Sequence, residues 1–336
     1  MSATVSAEMI CSNPDCRVSV DKKCVEGLTF DKCQFFGKPP ADLQPSDGGN
    51  TDAAAGIDLD PGAPLHALQA SGVLRASRSR VIGIIGAYDC GKTSLMAGLY
   101  DLFQEGPIGG VTFAGSSTLH GFEKICHDSR VASKRGTAHS ARTSRGEVTF
   151  YHLDVQRDGE ADIVSLLLAD RSGEEYEEVA DDMANGHSMS ELRRADTVTV
   201  LVDGRRLCDP KSRHDVINSV APIVQGLQES GAFARRPQLA VVLTKNDALV
   251  ASDKADVATA DFDRLVETME RRFSERFSVI RKFVTTASPT GMAVKRGDGL
   301  QDLLLYWLNE SPPEAAPAPV PISNDRVFAN LRAREA

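Results

Sequence analysis

The residues from Gly86 to Thr93 combine glycines, a lysine and a hydroxyl in a spacing suited to binding phosphate. They fit the pattern G-x-x-x-x-G-K-[ST]. Glycine lets backbone amides approach phosphate oxygens, and the charge of Lys92 neutralises the β- and γ-phosphates. Thr93 offers Mg²⁺ a hydroxyl ligand. The pattern predicts a site for a polyphosphate and magnesium that is formed by Gly86, Asp89, Cys90, Gly91, Lys92 and Thr93.

A second pattern, D-x-x-G, spans Asp170 to Gly173 and directly follows the apolar run 163–169. Asp170 is therefore expected at the carboxyl end of a buried strand. There its carboxylate would hold magnesium through water, and the Gly173 amide would reach the γ-phosphate. An ordinary turn at the end of a strand is the alternative interpretation. The phosphate loop upstream favours the first interpretation.

A third pattern concerns the nucleotide base. Thr244, Lys245 and Asp247 form T-K-x-D after the apolar run 239–243, and Ala287 lies in a later T-A-S. Asp247 can accept hydrogen bonds from N1 and N2 of guanine, and adenine offers no such pair of donors. Lys245 is expected to lie across the base, and the Ala287 amide to meet the guanine O6. The pattern predicts a guanine site.

The elements that must position these residues are indicated by hydrophobic periodicity. From Arg80 onward, short apolar runs alternate with longer amphipathic stretches, which predicts an α/β domain with a mostly parallel sheet. We place this domain at residues 79–311. Residues 41–78 are rich in Gly, Ala, Asp and Pro and are predicted to be a flexible linker. Residues 312–336 form a proline-rich tail.

Four cysteines crowd into residues 1–40: Cys11, Cys16, Cys24 and Cys33. Zinc prefers four soft ligands in a tetrahedron, and such a site would stabilise a segment with few apolar residues. No C-x-x-C pair is present among them, so free thiols in an unstructured arm are the alternative. We predict a small Cys-rich module that binds zinc and docks a protein.

Composition narrows the choice of partners and compartment. The chain has 336 residues, 41% of them apolar, and a formal net charge of −9. This charge gives no general attraction to nucleic acid or anionic lipid. The first residues lack the basic start and apolar segment of a signal peptide, and the longest apolar run is too short to span a bilayer. The expectation is a cytoplasmic protein.

In this order, the motifs resemble those of the Ras-like and translation-factor class (TRAFAC) of P-loop GTPases, over residues 79–311. The segment from Ser116 to Glu123 and the N-terminal cysteines resemble bacterial "double-GTPase" proteins. The resemblance implies a Ras-like P-loop NTPase fold of three layers and two switch segments that sense the nucleotide. It also implies that GTP is hydrolysed to GDP and phosphate by an oriented water molecule.

The resemblance also implies roles for residues of the first switch segment, which should precede the predicted strand 148–154. Thr143 is the preferred magnesium-sensing threonine, and Thr137 is the second choice. Arg142 or Arg145 is a candidate arginine finger supplied in cis. The alternative for both arginines is that they are surface charges in a loop.

Departures from the family pattern affect the expected chemistry. Glu174 follows Gly173 where many members carry the glutamine that orients water, and a carboxylate there would repel the γ-phosphate unless it is protonated or paired with a cation. Tyr88 would crowd an arginine finger arriving from a partner. Asp89 occupies the slot where potassium-stimulated members have asparagine, so it is a candidate K⁺ ligand, with loop capping as the alternative.

The motifs together predict a magnesium-dependent GTP-hydrolysing switch, with slow turnover because of Glu174. Lys92, Thr143, Gly173, Glu174 and Arg142 are its predicted catalytic residues. A protein partner is expected at the switch segments or at the Cys-rich module. One alternative is a guanine-nucleotide-binding scaffold with negligible hydrolysis. Another is a P-loop ATPase or kinase in which T-K-x-D is coincidental.

Overall fold

The computed structural model describes residues 29–33, 36–37, 62–129, 146–289 and 293–310, together with Val18. The density of contacts divides the chain into two units, Met1–Leu59 and Asp60–Ala336. In the first unit the structure describes a short 3₁₀ helix, Phe30–Lys32. The strands and helices that position the motifs all belong to the second unit.

The described residues form a sheet of seven strands in the order β2-β3-β4-β1-β5-β6-β7. The strands are β1 Ser79–Ile85, β2 Val111–Gly115, β3 Thr149–Arg157, β4 Ile163–Asp170, β5 Thr197–Asp203, β6 Gln238–Thr244 and β7 Ile280–Val284. The strands from β4 through β7 in that order run parallel, whereas β3 runs antiparallel to β2 and to β4. The predicted mostly parallel sheet is confirmed.

Helices cover both faces of this sheet. They are α1 Ala67–Ala76, α2 Lys92–Glu105, α3 Leu119–Ser129, α4 Gly173–Asp181, α5 Ser190–Arg194, α6 Gly204–Cys208, α7 Arg213–Glu229, α8 Asn246–Val250, α9 Ala255–Phe273 and α10 Leu300–Leu308. Helices α2, α3 and α10 bury apolar side chains against one face, and α4, α5, α7 and α9 do so against the other. The central strands are buried on both faces, which is why they read as continuous apolar runs.

The parallel strands bring the motif residues to one edge of the sheet. The carboxyl ends of parallel strands lie at the same edge, where ligands of open α/β sheets bind. The phosphate loop follows β1, Asp170 ends β4, Asp203 ends β5 and Thr244 ends β6. Motifs that are far apart in sequence therefore converge on one site.

Residues 62–76 lie in the segment predicted to be a flexible linker, and the structure corrects that prediction. The backbones of Leu65 and Phe150 exchange two hydrogen bonds of 2.8 Å on the edge of β3. Helix α1 then buries Ala70 in a small core with Val81 and Leu167. The high content of Gly, Ala and Pro gives no sequence signal for the two buried residues, Leu65 and Ala70, because they face the sheet only once it is formed.

In the part of the chain that the structure describes, no helix is both long and apolar enough to cross a membrane.

Candidate functional site

The phosphate loop joins β1 to the first turn of α2. Gly91 ends the loop with φ of +99°, a conformation that glycine adopts without steric cost. Lys92 is 8% exposed, and its Nζ donates hydrogen bonds to the carbonyl oxygens of Gly86 at 2.9 Å and Ala87 at 3.2 Å. The ammonium group thus lies within the loop, where the motif requires positive charge for the β- and γ-phosphates.

Gly86 and Cys90 pack against each other inside the loop. A Cβ on Gly86 would lie 2.5 Å from Cys90 Sγ, so a larger residue at position 86 would displace the thiol. Cys90 is 1% exposed, and burial raises the pKa of its thiol. A thiol that is buried and neutral reacts poorly with oxidants, so Cys90 fills space in the loop rather than acting as a redox-sensitive group.

The D-x-x-G segment contacts the phosphate loop directly. A Cβ on Gly173 would lie 2.6 Å from Ala87 C and from Tyr88 N, which leaves no room for any other residue at position 173. Asp170 is 5% exposed and ends β4, which pairs in parallel with β1. The structure therefore brings the two predicted phosphate-sensing motifs together.

Thr93 and Asp170 have the donor chemistry that magnesium requires. Thr93 lies in the first turn of α2 and Asp170 at the end of the neighbouring strand β4. Hydroxyl and carboxylate oxygens suit Mg²⁺, which binds through few protein ligands and keeps several waters. Within the described residues, no group of three or more His, Cys, Asp or Glu side chains is placed to hold a metal ion.

The T-K-x-D segment is attached to the phosphate loop through Thr244. Its Oγ1 lies 2.7 Å from the carbonyl oxygen of Cys90 and 3.2 Å from that of Val202. Thr244 is 5% exposed, so this contact is shielded from water. The hydroxyl thus links the T-K-x-D segment, the base loop, to the phosphate loop.

Lys245 makes a second connection between the same loops. Its Nζ donates to the Asp89 carbonyl oxygen at 2.6 Å and lies 3.2 Å from Asp89 Oδ2. It also donates to Asp203 Oδ2 at 2.8 Å. Burial lowers the pKa of Lys245, but the Asp203 and Asp89 carboxylates together outweigh burial and leave the pKa above its ordinary value. Lys245 is therefore a cation at neutral pH.

Asp203 was not predicted as a site residue. It is 3% exposed, and its second oxygen, Oδ1, accepts a hydrogen bond from the Arg206 backbone amide at 3.1 Å, which caps α6. The sequence signal for Asp203 is its position at the end of an apolar strand, a position that Asp170 also has. A carboxylate at that edge of the sheet is a candidate site residue.

The two base-reading segments are adjacent. Asp247 is 8% exposed and lies in the first turn of α8. The Asn246 amide donates to the Thr285 carbonyl oxygen at 3.2 Å. A Cβ on Gly98 of α2 would lie 3.0 Å from Ala287 Cβ, so Ala287 packs on the helix that follows the phosphate loop. Asp247 and Ala287 therefore lie on neighbouring segments, and their contacts with guanine stay a prediction.

Several predicted residues lie outside the described part of the chain. They are Thr137, Arg142, Thr143, Arg145, Cys11, Cys16 and Cys24. Cys33 is half-buried and forms no disulfide. Glu174 is half-buried in the first turn of α4. The roles predicted for all of these residues stay predictions.

A buried ion pair next to Asp170 was also missed from the sequence. Arg171 Nε and Nη2 donate to the two carboxylate oxygens of Glu191 at 2.7 and 3.1 Å. Arg171 Nη1 donates to Glu175 Oε1 at 2.8 Å. The side chains of Arg171 and Glu191 are 4% and 0% exposed. This network attaches the D-x-x-G segment and α4 to α5.

Ser117, His152 and Asp154 form a row that resembles a hydrolytic triad. His152 Nδ1 accepts a hydrogen bond from the Ser117 amide at 3.0 Å, and Ser117 Oγ lies at the same distance. Nε2 faces Asp154 Oδ1 at 3.1 Å. Because the backbone amide already occupies the Nδ1 lone pair, His152 cannot serve Ser117 as a general base. The row instead fastens the start of α3 to β3.

The fold and the site define a P-loop GTPase of the Ras-like and translation-factor class. A family model described as Double-GTPase 2 matches residues 80–308. The chain belongs to the Double-GTPase 2 family, as the motif order and the segment from Ser116 to Glu123 predicted. By this membership it is a GTPase.

Several solved structures are similar to the chain. The signal recognition particle receptor SRb-GTP/SRX complex from Chaetomium thermophilum shares 16% identity over 69% of this chain and 96% of that chain, with a TM-score of 0.39. Methanosarcina barkeri Roco2 RocCORdC bound to GDP shares 15%, over 69% of this chain and 49% of that chain, at 0.35. The GTP-bound Ski7 GTPase-like domain of S. cerevisiae shares 14%, over 72% and 52%, at 0.40. The chain thus spans about half the length of the latter two. No curated protein gives a significant match.

Proposed function

We propose that the protein is a magnesium-dependent GTP switch that hydrolyses GTP to GDP and phosphate and docks a protein partner. The observation that carries this proposal is the attachment of the base loop to the phosphate loop through Thr244 and Lys245. It holds a guanine-type base loop beside a loop built for a polyphosphate. A single guanosine nucleotide can then contact both loops at once.

The proposed roles follow from the placement of each side chain. Lys92 neutralises the β- and γ-phosphates, and the Gly173 amide donates to the γ-phosphate. Thr93 and Asp170 would hold magnesium, which, when bound, supplies positive charge against the phosphate oxygens. Asp247 accepts hydrogen bonds from the guanine base, and Ala287 excludes an amino group from the O6 position.

The proposed hydrolytic step involves residues that flank the nucleotide-binding loops. Thr143 is proposed to sense magnesium and Arg142 to stabilise charge on the γ-phosphate. Glu174 stands where a glutamine would orient water, and its carboxylate would repel the γ-phosphate unless it is protonated or paired with a cation. We therefore propose slow turnover. A guanine-nucleotide-binding scaffold with negligible hydrolysis is the second candidate, and Glu174 is the observation that favours it.

Nucleotide binding and phosphate release by the purified full chain test this proposal. GTP should compete with a fluorescent GDP analogue, and ATP should not. Lys92→Ala should abolish both binding and turnover, whereas the matched control Lys254→Ala, a half-exposed surface lysine paired with Asp253, should change neither. GTP binding without phosphate release would favour the scaffold. Equal competition by ATP would contradict the guanine assignment.

A zinc-binding Cys-rich module remains part of the proposal for partner docking. It is supported by the crowding of four cysteines in residues 1–40. Metal analysis of the full chain should find stoichiometric zinc, and a chain that lacks residues 1–40 should lose it while still binding GDP. A full chain without zinc would contradict the module.

A further inference from the structure

Lys245 lies between two carboxylates, one in the phosphate loop and one at the end of β5. Its Nζ is 2.8 Å from Asp203 Oδ2 and 3.2 Å from Asp89 Oδ2, and it donates to the Asp89 carbonyl oxygen at 2.6 Å. The Asp203 side chain is 4% exposed and the Asp89 side chain 75%. Asp203 is thus the buried anchor of the lysine, and Asp89 is its partner within the phosphate loop.

The backbone at both ends of the Asp89–Lys245 contact is unusual. Among the described residues, these are the two non-glycine residues with positive φ, at 60° for Asp89 and 54° for Lys245. Side chains disfavour this left-handed conformation, and residues that keep it cluster at sites where the surrounding structure or function requires it. Here the two strained residues contact each other across 156 positions of sequence.

A carboxylate in a phosphate loop raises an electrostatic problem. The loop binds a polyanion, so the charge of Asp89 opposes nucleotide binding unless a cation offsets it. The ammonium of Lys245 is the cation that lies against this carboxylate in the structure. Lys245 thus offers Asp89 a positive charge within the protein, whereas the sequence had suggested a potassium ion as its partner.

We infer that Lys245, anchored by Asp203, is the resident counter-ion of Asp89, and that this charge clamp of Asp89, Lys245 and Asp203, not potassium, offsets the Asp89 charge beside the phosphates of the guanine nucleotide. Asp89 and Asp203 are then positioning residues, and Lys245 serves both the base and the phosphate loop. The inference rests on the proposed guanine-nucleotide site but does not require hydrolysis.

A double-mutant cycle on GDP release tests the counter-ion role. Release of a fluorescent GDP analogue is measured for the wild type, Asp89→Asn, Lys245→Gln and the double variant. Lys245→Gln leaves the Asp89 charge facing the phosphates, so it should accelerate release more in the wild type than in the Asp89→Asn background. The acceleration of GDP release by Lys245→Gln should be about two- to fivefold larger in the wild type than in the Asp89→Asn background, the range for an exposed ion pair.

Equal factors in the two backgrounds would overturn the inference, because Lys245 would then act on the base alone. Asp89→Asn is chosen because the side chain is exposed and the variant should fold. A matched cycle on Lys282 and Asp263, a pair at 2.8 Å with side chains 57% and 43% exposed, should leave GDP release unchanged. This control separates the clamp from a general effect of removing charge.

The salt used for the same assay supplies a second readout. Wild-type GDP release should agree to within about twofold in potassium and sodium chloride, since both salts screen charge equally. A strong dependence on potassium in the wild type would overturn the inference. A chain that binds GDP but fails the cycle overturns this inference alone, whereas a chain that binds no guanine nucleotide overturns the proposed function as well.

Discussion

At the scale of single residues, Asp247 is expected to set the choice of base. Asp247→Asn replaces one of two accepting oxygens by a donor, so the bonds from N1 and N2 of guanine cannot both form. GDP affinity should fall by about 3 kcal/mol, or roughly 100-fold, as expected when hydrogen bonds to a charged group are lost. Xanthosine diphosphate has a carbonyl where guanine carries its N2 amino group, so it should bind the Asp247→Asn variant better than it binds the wild type. Parallel titrations with both nucleotides measure this, and unchanged GDP affinity would contradict the role of Asp247.

Cys90 provides a second prediction at this scale. Its burial raises the pKa of the thiol, so the reactive thiolate forms only at a pH above the usual range for cysteine. At neutral pH, iodoacetamide should label the half-buried Cys208 and leave Cys90 unmodified. Peptide mapping after timed labelling would show this. Labelling of Cys90 at the rate of Cys208 would indicate a reactive loop cysteine.

At the scale of elements, the Arg171–Glu191 pair joins the end of β4 to α5. Removing one partner leaves a buried charge uncompensated, so Arg171→Met should lower the free energy of unfolding by about 3–5 kcal/mol. The double variant Arg171→Met/Glu191→Met should recover part of this loss, because no charge is then left buried. Urea denaturation measures both.

The exposed pair of Arg78 and Glu310 is the matched control for this measurement. The Arg78 side chain is 50% exposed and that of Glu310 69%, so Arg78→Gln should cost less than about 1 kcal/mol. A loss of similar size at Arg171 and Arg78 would show that the buried pair contributes no more to stability than an exposed pair.

At the scale of the whole molecule, the boundary of the GTPase domain is the testable feature. A chain that begins at residue 60 keeps Leu65 and α1 on the sheet. It should unfold at the same urea concentration as the unit Asp60–Ala336 does within the full chain. A chain that begins at residue 78 exposes the core formed with Val81 and Leu167. Its free energy of unfolding should fall by more than about 2 kcal/mol, as for the loss of one large buried side chain. Identical midpoints for the two truncated chains would mean that residues 62–77 are a linker after all.

Much of the site could be predicted because its chemistry is local. The phosphate loop, D-x-x-G, T-K-x-D and T-A-S each consist of consecutive residues whose backbone and side chains act together, and each follows an apolar run that marks a buried strand. Chain order and apolar periodicity were therefore enough to predict the mostly parallel sheet. The segment 62–76 was assigned wrongly because composition carries no information about which face of a helix will meet a sheet.

The amino-acid sequence by itself determined the class of protein, the predicted nucleotide-binding loops and the order of the motifs along the chain. Only the tertiary structure decided which distant side chains complete the site. Asp203 lies 42 positions from Lys245, Asp89 lies 156 positions from it, and Glu191 lies 20 positions from Arg171. The pairings of Lys245 depend on which strands become neighbours, and that of Arg171 depends on where α5 packs. Strand neighbours are selected by packing of the whole sheet, so no local pattern of residues encodes these contacts.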